Sequence, residues 1–330
     1  MPIATMAFVT YYTYYKDSGL QVPITIGYDC TPAVRSALQA YPAAQFVHSG
    51  NWWTIDPAKR TRKVVLDRQI SLINDHTAGF MSMNVQPGND PMYWIEKEGD
   101  ESHMQACLDN ATFATDELQS RGYDIPVYCA LQPSTVAMAE TWFQRAMDDG
   151  HEHLCMGVSE FLKSPRNRVE GINRVLQITD AVARLQGPGQ ASFHLSGLTS
   201  YSLLPVVAAL GATSTDGSTP VQSALAYGTV FFPGSGKGMR ASQMLEQKAS
   251  LAWACTCDAC AGKTKDEVFR SFGDARARVK HNLLAWEQLV AQINREVVKD
   301  PSTWHEQNKK GMSPASKKSW QMALQLLDSR

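Results

Sequence analysis

No stretch of this chain approaches the ~18 consecutive apolar residues that a membrane-crossing helix requires, so neither a membrane span nor a membrane partner is expected. The opening residues MPIATMAFVTYYTYYKDSGL lack a basic region followed by an apolar run, so no signal peptide is expected. Neither sign of charge is in excess: Lys and Arg number 31, Asp and Glu 32, and the formal net charge is -1. That argues against an overall basic coat for nucleic acid and leaves a local basic patch open. No G-x-G-x-x-G or G-x-x-x-x-G-K-[ST] opens a helix, so the usual dinucleotide and P-loop signatures are missing. Gly234-Ser235-Gly236-Lys237-Gly238 has the composition of a phosphate loop but the wrong spacing, and reads as a flexible loop or backbone clamp. A disulfide framework is missing too. The Cys count is seven, an odd number, and Cys30, Cys107, Cys129 and Cys155 are scattered through apolar surroundings. This is the pattern of a reducing, cytoplasmic compartment.

What is present is enough apolar sequence for a full core: 44% of 330 residues. Short β-rich runs alternate with amphipathic stretches. Strands are predicted at Pro23–Tyr28, Ala44–His48, Gly79–Asn84, Pro126–Ala130, His153–Met156, Ser192–Leu195 and Val230–Phe232. Helices are predicted at Pro32–Ala40, Arg60–Asn74, Ser102–Arg121, Thr135–Asp148, Arg166–Leu185, Tyr201–Leu210 and Asp266–Val298. Repeated strand–helix units mean a parallel α/β fold, either a doubly wound sheet or a (β/α)8 barrel. Length favours the barrel, being close to ~250 residues plus an insertion. So does the placement of polar residues just after several strands, at His48-Ser49-Gly50, Asn84, Gln132, Gly157, Ser196-Gly197 and Asp216.

The most specific signal is Cys255-Thr256-Cys257-Asp258-Ala259-Cys260, followed by His281 inside a predicted helix. Three thiols and an imidazole complete the four-ligand set of a tetrahedral Zn2+, leaving no open position for water or substrate. The zinc is therefore expected to be structural, in a subdomain inserted in or appended to the barrel. Asp216, among the small residues of Gly211–Ser218, is sterically open to a ligand, but from these residues alone an Asx-turn or helix N-cap is the preferred reading. The C-terminal segment is basic, with Lys309, Lys310, Lys317, Lys318 and Arg330 interleaved with Trp304 and Trp320. It reads either as a solvated helix docked by a Trp or as a nucleic-acid contact.

Several motifs together resemble the tRNA-guanine transglycosylase superfamily. They are Ala130-Leu131-Gln132-Pro133, Asp149-Gly150, Met156-Gly157-Val158, His194-Leu195-Ser196-Gly197-Leu198, Gly211-Ala212-Thr213-Ser214-Thr215-Asp216, Tyr227-Gly228-Thr229-Val230-Phe231, and the CxCxxC…His281-Asn282-Leu283 set. The resemblance runs over roughly residues 44–295 and is strongest from Gln132 onward. It implies a (β/α)8 TIM-like barrel with a zinc subdomain and a dimer through the zinc region. It makes Asp216 the nucleophile, and places Asn84, Gln132, Gly157, Ser196 and Gly197 at the base. His48 stands where the family carries an acid/base Asp, and Asn84 where it carries a base-reading Asp. His48 is either the proton shuttle, its unperturbed pKa lying near neutrality, or a structural residue. Compactness and these departures are most similar to the DNA-acting branch, found in phages and bacterial modification islands, for which the compartment would be the host cytoplasm. The implied reaction replaces guanine in DNA by a 7-deazaguanine such as preQ0, with tRNA as the alternative polymer and a silent nucleic-acid-binding paralogue as the alternative role. Lys237, Arg240, Lys263 and Lys265 are then expected at the phosphate backbone. The expected organisation is a barrel over residues 1–240, a zinc subdomain and closing helix over 241–298, and a basic tail over 299–330.

Overall fold

The computed structural model describes residues 4–8, 23–28, 30–49, 61–85, 101–163, 168–187, 192–198, 200–233 and 238–330. Eight parallel strands close into a barrel in chain order: β1 (Ala4–Phe8), β2 (Ile24–Gly27), β3 (Gln45–His48), β4 (Thr77–Met81), β5 (Val127–Leu131), β6 (His153–Gly157), β7 (Ser192–Ser196) and β8 (Ser214–Gly217). Closure is made by β1, which pairs with β2 on one side and with β8 on the other, Met6 lying opposite Asp216. From β2 onward each strand is followed by a helix, the arrangement of a (β/α)8 barrel.

Strand alternation separates two apolar populations. Cys129, Leu131, Leu154, Met156, Phe193 and Leu195 join the main core with the surrounding helices. Their alternates Tyr128, Ala130 and Cys155 form a small cluster with Phe46 and Met81 and so fill the barrel interior. The pairing aligns Ala130, Cys155, His194 and Ser214 across β5 to β8, and next aligns Gly157 with Ser196. The interior is largely apolar on the β4–β6 side and polar along β7, β8 and the end of β3, where His48 lies. This matters because β7 and β8 supply the candidate site.

The expected strands and helices fall close to observed elements, with corrections. The strand expected at Gly79–Asn84 occupies Thr77–Met81 instead, Thr77 being fixed by a turn in which Asn74 N–H donates to its hydroxyl. Val230–Phe232 is not a barrel strand. With β1 bonded to β8 the barrel is full, so β9 (Thr229–Phe231) pairs antiparallel with β10 (Gly238–Arg240) in a separate sheet. The single helix expected over Asp266–Val298 is two helices, Lys265–Ser271 and Ala275–Gln292, the latter followed by a π-type turn at Ile293–Val297. Gly273 and Asp274 break it: Asp274 caps the second helix, its carboxylate accepting from the Arg276 N–H at 2.9 Å. Three of the observed strands have no counterpart among those expected: β1 and β8 in the barrel, and β10 beside β9.

The C-terminal segment folds as two helices, Pro301–Asn308 and Pro314–Asp328. Trp304 and Trp320 lie 5.2 Å apart between ring centres and belong to the main core. The Arg330 guanidinium donates to the buried Asp180 carboxylate at 2.8 Å and to the Leu210 carbonyl at 2.7 Å. The segment is thus docked by its tryptophans, while Lys309, Lys310, Lys317 and Lys318 face solvent. Among the described residues no helix is long and apolar enough to cross a membrane.

Trp320 is almost fully buried, so truncating it removes a large apolar side chain and leaves a cavity. Trp320→Ala is expected to destabilise the fold by about 3–5 kcal/mol, read as a lowered denaturant midpoint. A change under about 0.5 kcal/mol would mean that the segment does not contribute to the core.

Candidate functional site

The strand ends of β3, β7 and β8 gather one polar cluster. Asp216, next to last in β8, has no solvent-exposed surface. Its Oδ1 accepts the Gly197 N–H at 2.5 Å, and its Oδ2 lies 3.2 Å from His194 Nε2. The Ser196 hydroxyl reaches both oxygens, at 3.4 and 3.2 Å, and its oxygen also lies 3.4 Å from His48 Nε2. His194 is itself fully buried, with Nδ1 2.8 Å from the Ser214 hydroxyl.

Local sequence explains this geometry. Gly197 has φ +77°, a left-handed conformation that glycine adopts without penalty, and this turn points its N–H at Asp216. Ser196 and Asp216 sit on the barrel-facing side of neighbouring strands, two residues beyond the paired His194 and Ser214. Burial alone raises the Asp216 carboxyl pKa. The His194 hydrogen bond, the charges of His194 and His48, and the Gly197 N–H outweigh burial and hold it below the usual carboxylate value. The cluster therefore holds an ionised carboxylate beside two imidazoles and a hydroxyl.

Gln132 follows β5 and is buried, clamping the end of β6: its Nε2 donates to the Gly157 carbonyl at 2.7 Å, and its Oε1 accepts the Gly157 N–H at 3.1 Å. A Cβ at Gly157 would lie 2.7 Å from that Oε1, so the pair is a matched contact. One N–H and one lone-pair direction of the amide remain for a ligand. Asn84 lies beyond β4 in a segment tied to helix Glu101–Ser120, where the Asn110 amide donates to the Met83 carbonyl at 2.9 Å. Gly50 to Trp53 and Lys237 lie outside the described residues. Arg240 is exposed on β10. Lys263 and Lys265 donate to the Ala259 and Leu251 carbonyls, at 2.8 and 2.9 Å.

The second centre is Cys255, Cys257, Cys260 and His281, whose ligand atoms all lie within 4.8 Å of one another, so that one metal ion can reach all four. His281 Nδ1 faces the three sulfurs at 3.4–3.8 Å. Its Nε2 donates to the Phe231 carbonyl at 2.7 Å, leaving the Nδ1 lone pair for a metal. Hydrogen bonds from Cys257 and Cys260 hold the Cys255 thiol far below its ordinary value, and the exchange pushes Cys260 up. Trp253, Phe269 and Phe272 wall the cluster.

Two polar residues of these centres carry little signal of their own in the sequence. His194 was visible only as part of a motif; the signal was its alternation with Ser196, which gives one strand face two polar groups. Asn282 is the other. Fully buried, it accepts the Phe231 N–H at 2.9 Å and donates to the Pro220 and Thr229 carbonyls, both at 3.0 Å. Adjacent residues His281 and Asn282 thus grip β9 and the helix Thr219–Ala226 that follows Asp216. The chain matches no family model, and no curated protein matches it.

Asn282→Ala leaves one N–H and two carbonyls of this buried junction without that partner. The expected loss is about 3 kcal/mol, with metal affinity weakened by about tenfold through the Phe231 carbonyl that orients His281. Denaturant unfolding and competitive metal titration measure the two effects; unchanged values in both would remove the clamp role.

Proposed function

We propose that this chain is a base-exchange transglycosylase that replaces guanine in DNA with a 7-deazaguanine of the preQ0 kind. The observation that carries the reading is Asp216. It is an ionised carboxylate on the penultimate residue of a barrel strand, with His48 and Ser196 beside it.

The chemistry is two displacements at C1′ of the nucleotide. Asp216 attacks C1′ as the bond to guanine N9 breaks, the electron pair leaving with the base, which takes up a proton. The incoming base then loses a proton, its nitrogen attacks C1′, and the carboxylate departs. Two inversions retain the configuration, by the logic of a retaining glycosidase. His48 is the group for both proton transfers, its Nε2 lying one hydroxyl away from the nucleophile. Asn84, Gln132, Gly157, Ser196 and Gly197 are assigned to the base edge. The nucleotide must be single-stranded or flipped to present C1′. Exposed Arg240 and the lysines of the basic C-terminal helices are the candidates for phosphate contact.

Zinc is the metal proposed for the thiol cluster. Bonds of about 2.3 Å to sulfur and about 2.05 Å to nitrogen at tetrahedral angles separate N from S by about 3.6 Å, inside the observed 3.4–3.8 Å. Four protein ligands leave no site for water, so this metal would brace the fold while Asp216 and His48 carry the reaction.

Purified protein is expected to incorporate labelled guanine or preQ0 into DNA in preference to tRNA assayed in parallel, and Asp216→Asn to abolish incorporation. Full activity of that variant would rule out the nucleophile. Elemental analysis is expected to find about one zinc per chain, with chelation lowering Tm. A metal-free preparation with unchanged Tm would remove the structural zinc.

A further inference from the structure

We infer that His194 is a positioning residue that biases the Asp216–sugar ester toward breakdown, keeping the exchange reversible. The inference rests on the base-exchange reading above. Neither ring nitrogen of His194 is left over: Nδ1 lies 2.8 Å from the Ser214 hydroxyl, and Nε2 lies 3.2 Å from Asp216 Oδ2, with both residues fully or nearly fully buried. A carboxylate can only accept, so Nε2 carries the hydrogen. The Ser214 hydroxyl can turn its own hydrogen toward Nδ1, which fixes that tautomer without requiring a positive charge.

The two carboxylate oxygens are held differently. Oδ1 is bonded to the Gly197 N–H, a main-chain donor set by the turn, with the Ser196 hydroxyl further off at 3.4 Å, whereas Oδ2 is held by side chains alone, those of His194 and Ser196, both at 3.2 Å. The oxygen that keeps its main-chain donor is suited to become the ester carbonyl. Oδ2 is therefore the attacking atom. In the first displacement an Oδ2 electron pair forms the C1′–O bond, and the C1′–N9 bond breaks, its pair passing to guanine, which is protonated. In the second, the incoming base gives up its N9 proton, its pair forms C1′–N9, and the C1′–O pair returns to Oδ2. An ester oxygen accepts hydrogen bonds poorly and a carboxylate oxygen accepts them well. His194 Nε2–H therefore loses its acceptor in the ester and regains it when the carboxylate leaves. It stabilises free enzyme over ester, and it makes Asp216 a better leaving group. A nucleophile for exchange has to be both.

The experiment is the partition between covalent adduct and free enzyme. The full chain is incubated in mildly alkaline buffer, so that the Asp216 carboxyl stays ionised even where its His194 partner is removed, with a guanine-containing DNA oligonucleotide or with tRNA. Free guanine is held at fixed concentration, and adduct is counted on denaturing gels. His194→Ala is expected to raise the adduct-to-free ratio and to slow discharge of the adduct by added guanine by about 10²-fold, more than it slows adduct formation. His194→Gln, which restores an N–H donor, is expected to return the ratio most of the way. A merely structural defect would slow formation and discharge together and leave the ratio unchanged, and that result would overturn the inference alone. Absence of any Asp216-dependent adduct in the unsubstituted protein would overturn the base-exchange reading and the His194 role with it. Should both His194 variants misfold, Ser214→Ala decides: freeing the tautomer is expected to shift the ratio the same way by a smaller factor, and an unchanged ratio overturns the inference.

Discussion

An ionised carboxylate with no exposed surface is the constraint on which this barrel depends. Removing a carboxylate from water without partners costs several kcal/mol, and the group would otherwise take a proton. Three donors converge on Asp216, a main-chain N–H, an imidazole and a hydroxyl, and the first two, with the charge of His48, hold it ionised. All three donors come from one stretch, His194 to Gly197. Any shift in the β7–β8 register would separate them, since a single-residue slip turns every side chain to the other face. The pairing His194 with Ser214 and Leu195 with Thr215 is therefore both a sheet contact and the alignment of the candidate site.

That alignment is supported from outside the barrel. The helix after β8 and the strand β9 are held by His281 and Asn282, adjacent in one helix, through four hydrogen bonds to Phe231, Thr229 and Pro220. Tyr201, from the connection following Gly197, packs on Phe231 at 4.0 Å between ring centres and donates to the Asn282 carbonyl at 3.4 Å. The segments leaving β7 and β8 thus meet at the residue pair whose imidazole completes the thiol cluster. A metal there would restrain His281, and through Phe231 the peptide planes that bracket the site. This is a physical route by which a metal centre outside the barrel would hold the Asp216 cluster in place.

Most of the barrel could be read in the sequence because six of its strands carry apolar or alternating residues flanked by helical periodicity. The thiol cluster could be read because CxCxxC with a distant His has few other uses. β8 could not. Ser214-Thr215-Asp216-Gly217 has no apolar residue, since its inward positions are the site itself and its pattern is that of a turn. β1 is five residues long, Ala4–Phe8, leaving little periodicity to detect. The closing strand at Val230–Phe232 was misplaced for a related reason: its apolar run is genuine, but its partner is β10 and its core is that of the thiol cluster, with Val230 packed among Met244, Phe269 and Phe272. His194 and Asn282 were not singled out because each acts through a hydrogen bond to a residue distant in sequence, which one-dimensional periodicity does not encode.

Apolar burial and the polar candidate site are divided between the two faces of the same strands. On β7, Phe193 and Leu195 point to the helix layer, Phe193 meeting Phe143 edge-on at 5.4 Å, while His194 and Ser196 point inward to Asp216. The apolar face, the docked Trp304–Trp320 pair and the thiol subdomain supply burial that the polar mouth of the barrel cannot. Each strand can therefore carry a residue that is unfavourable when buried alone, provided its neighbours in sequence are buried well. The same division explains why the site residues alternate with core residues along β7, and why a change at either position acts on a different property: Leu195 on the apolar core, Ser196 on the hydrogen bonds to Asp216 across the sheet.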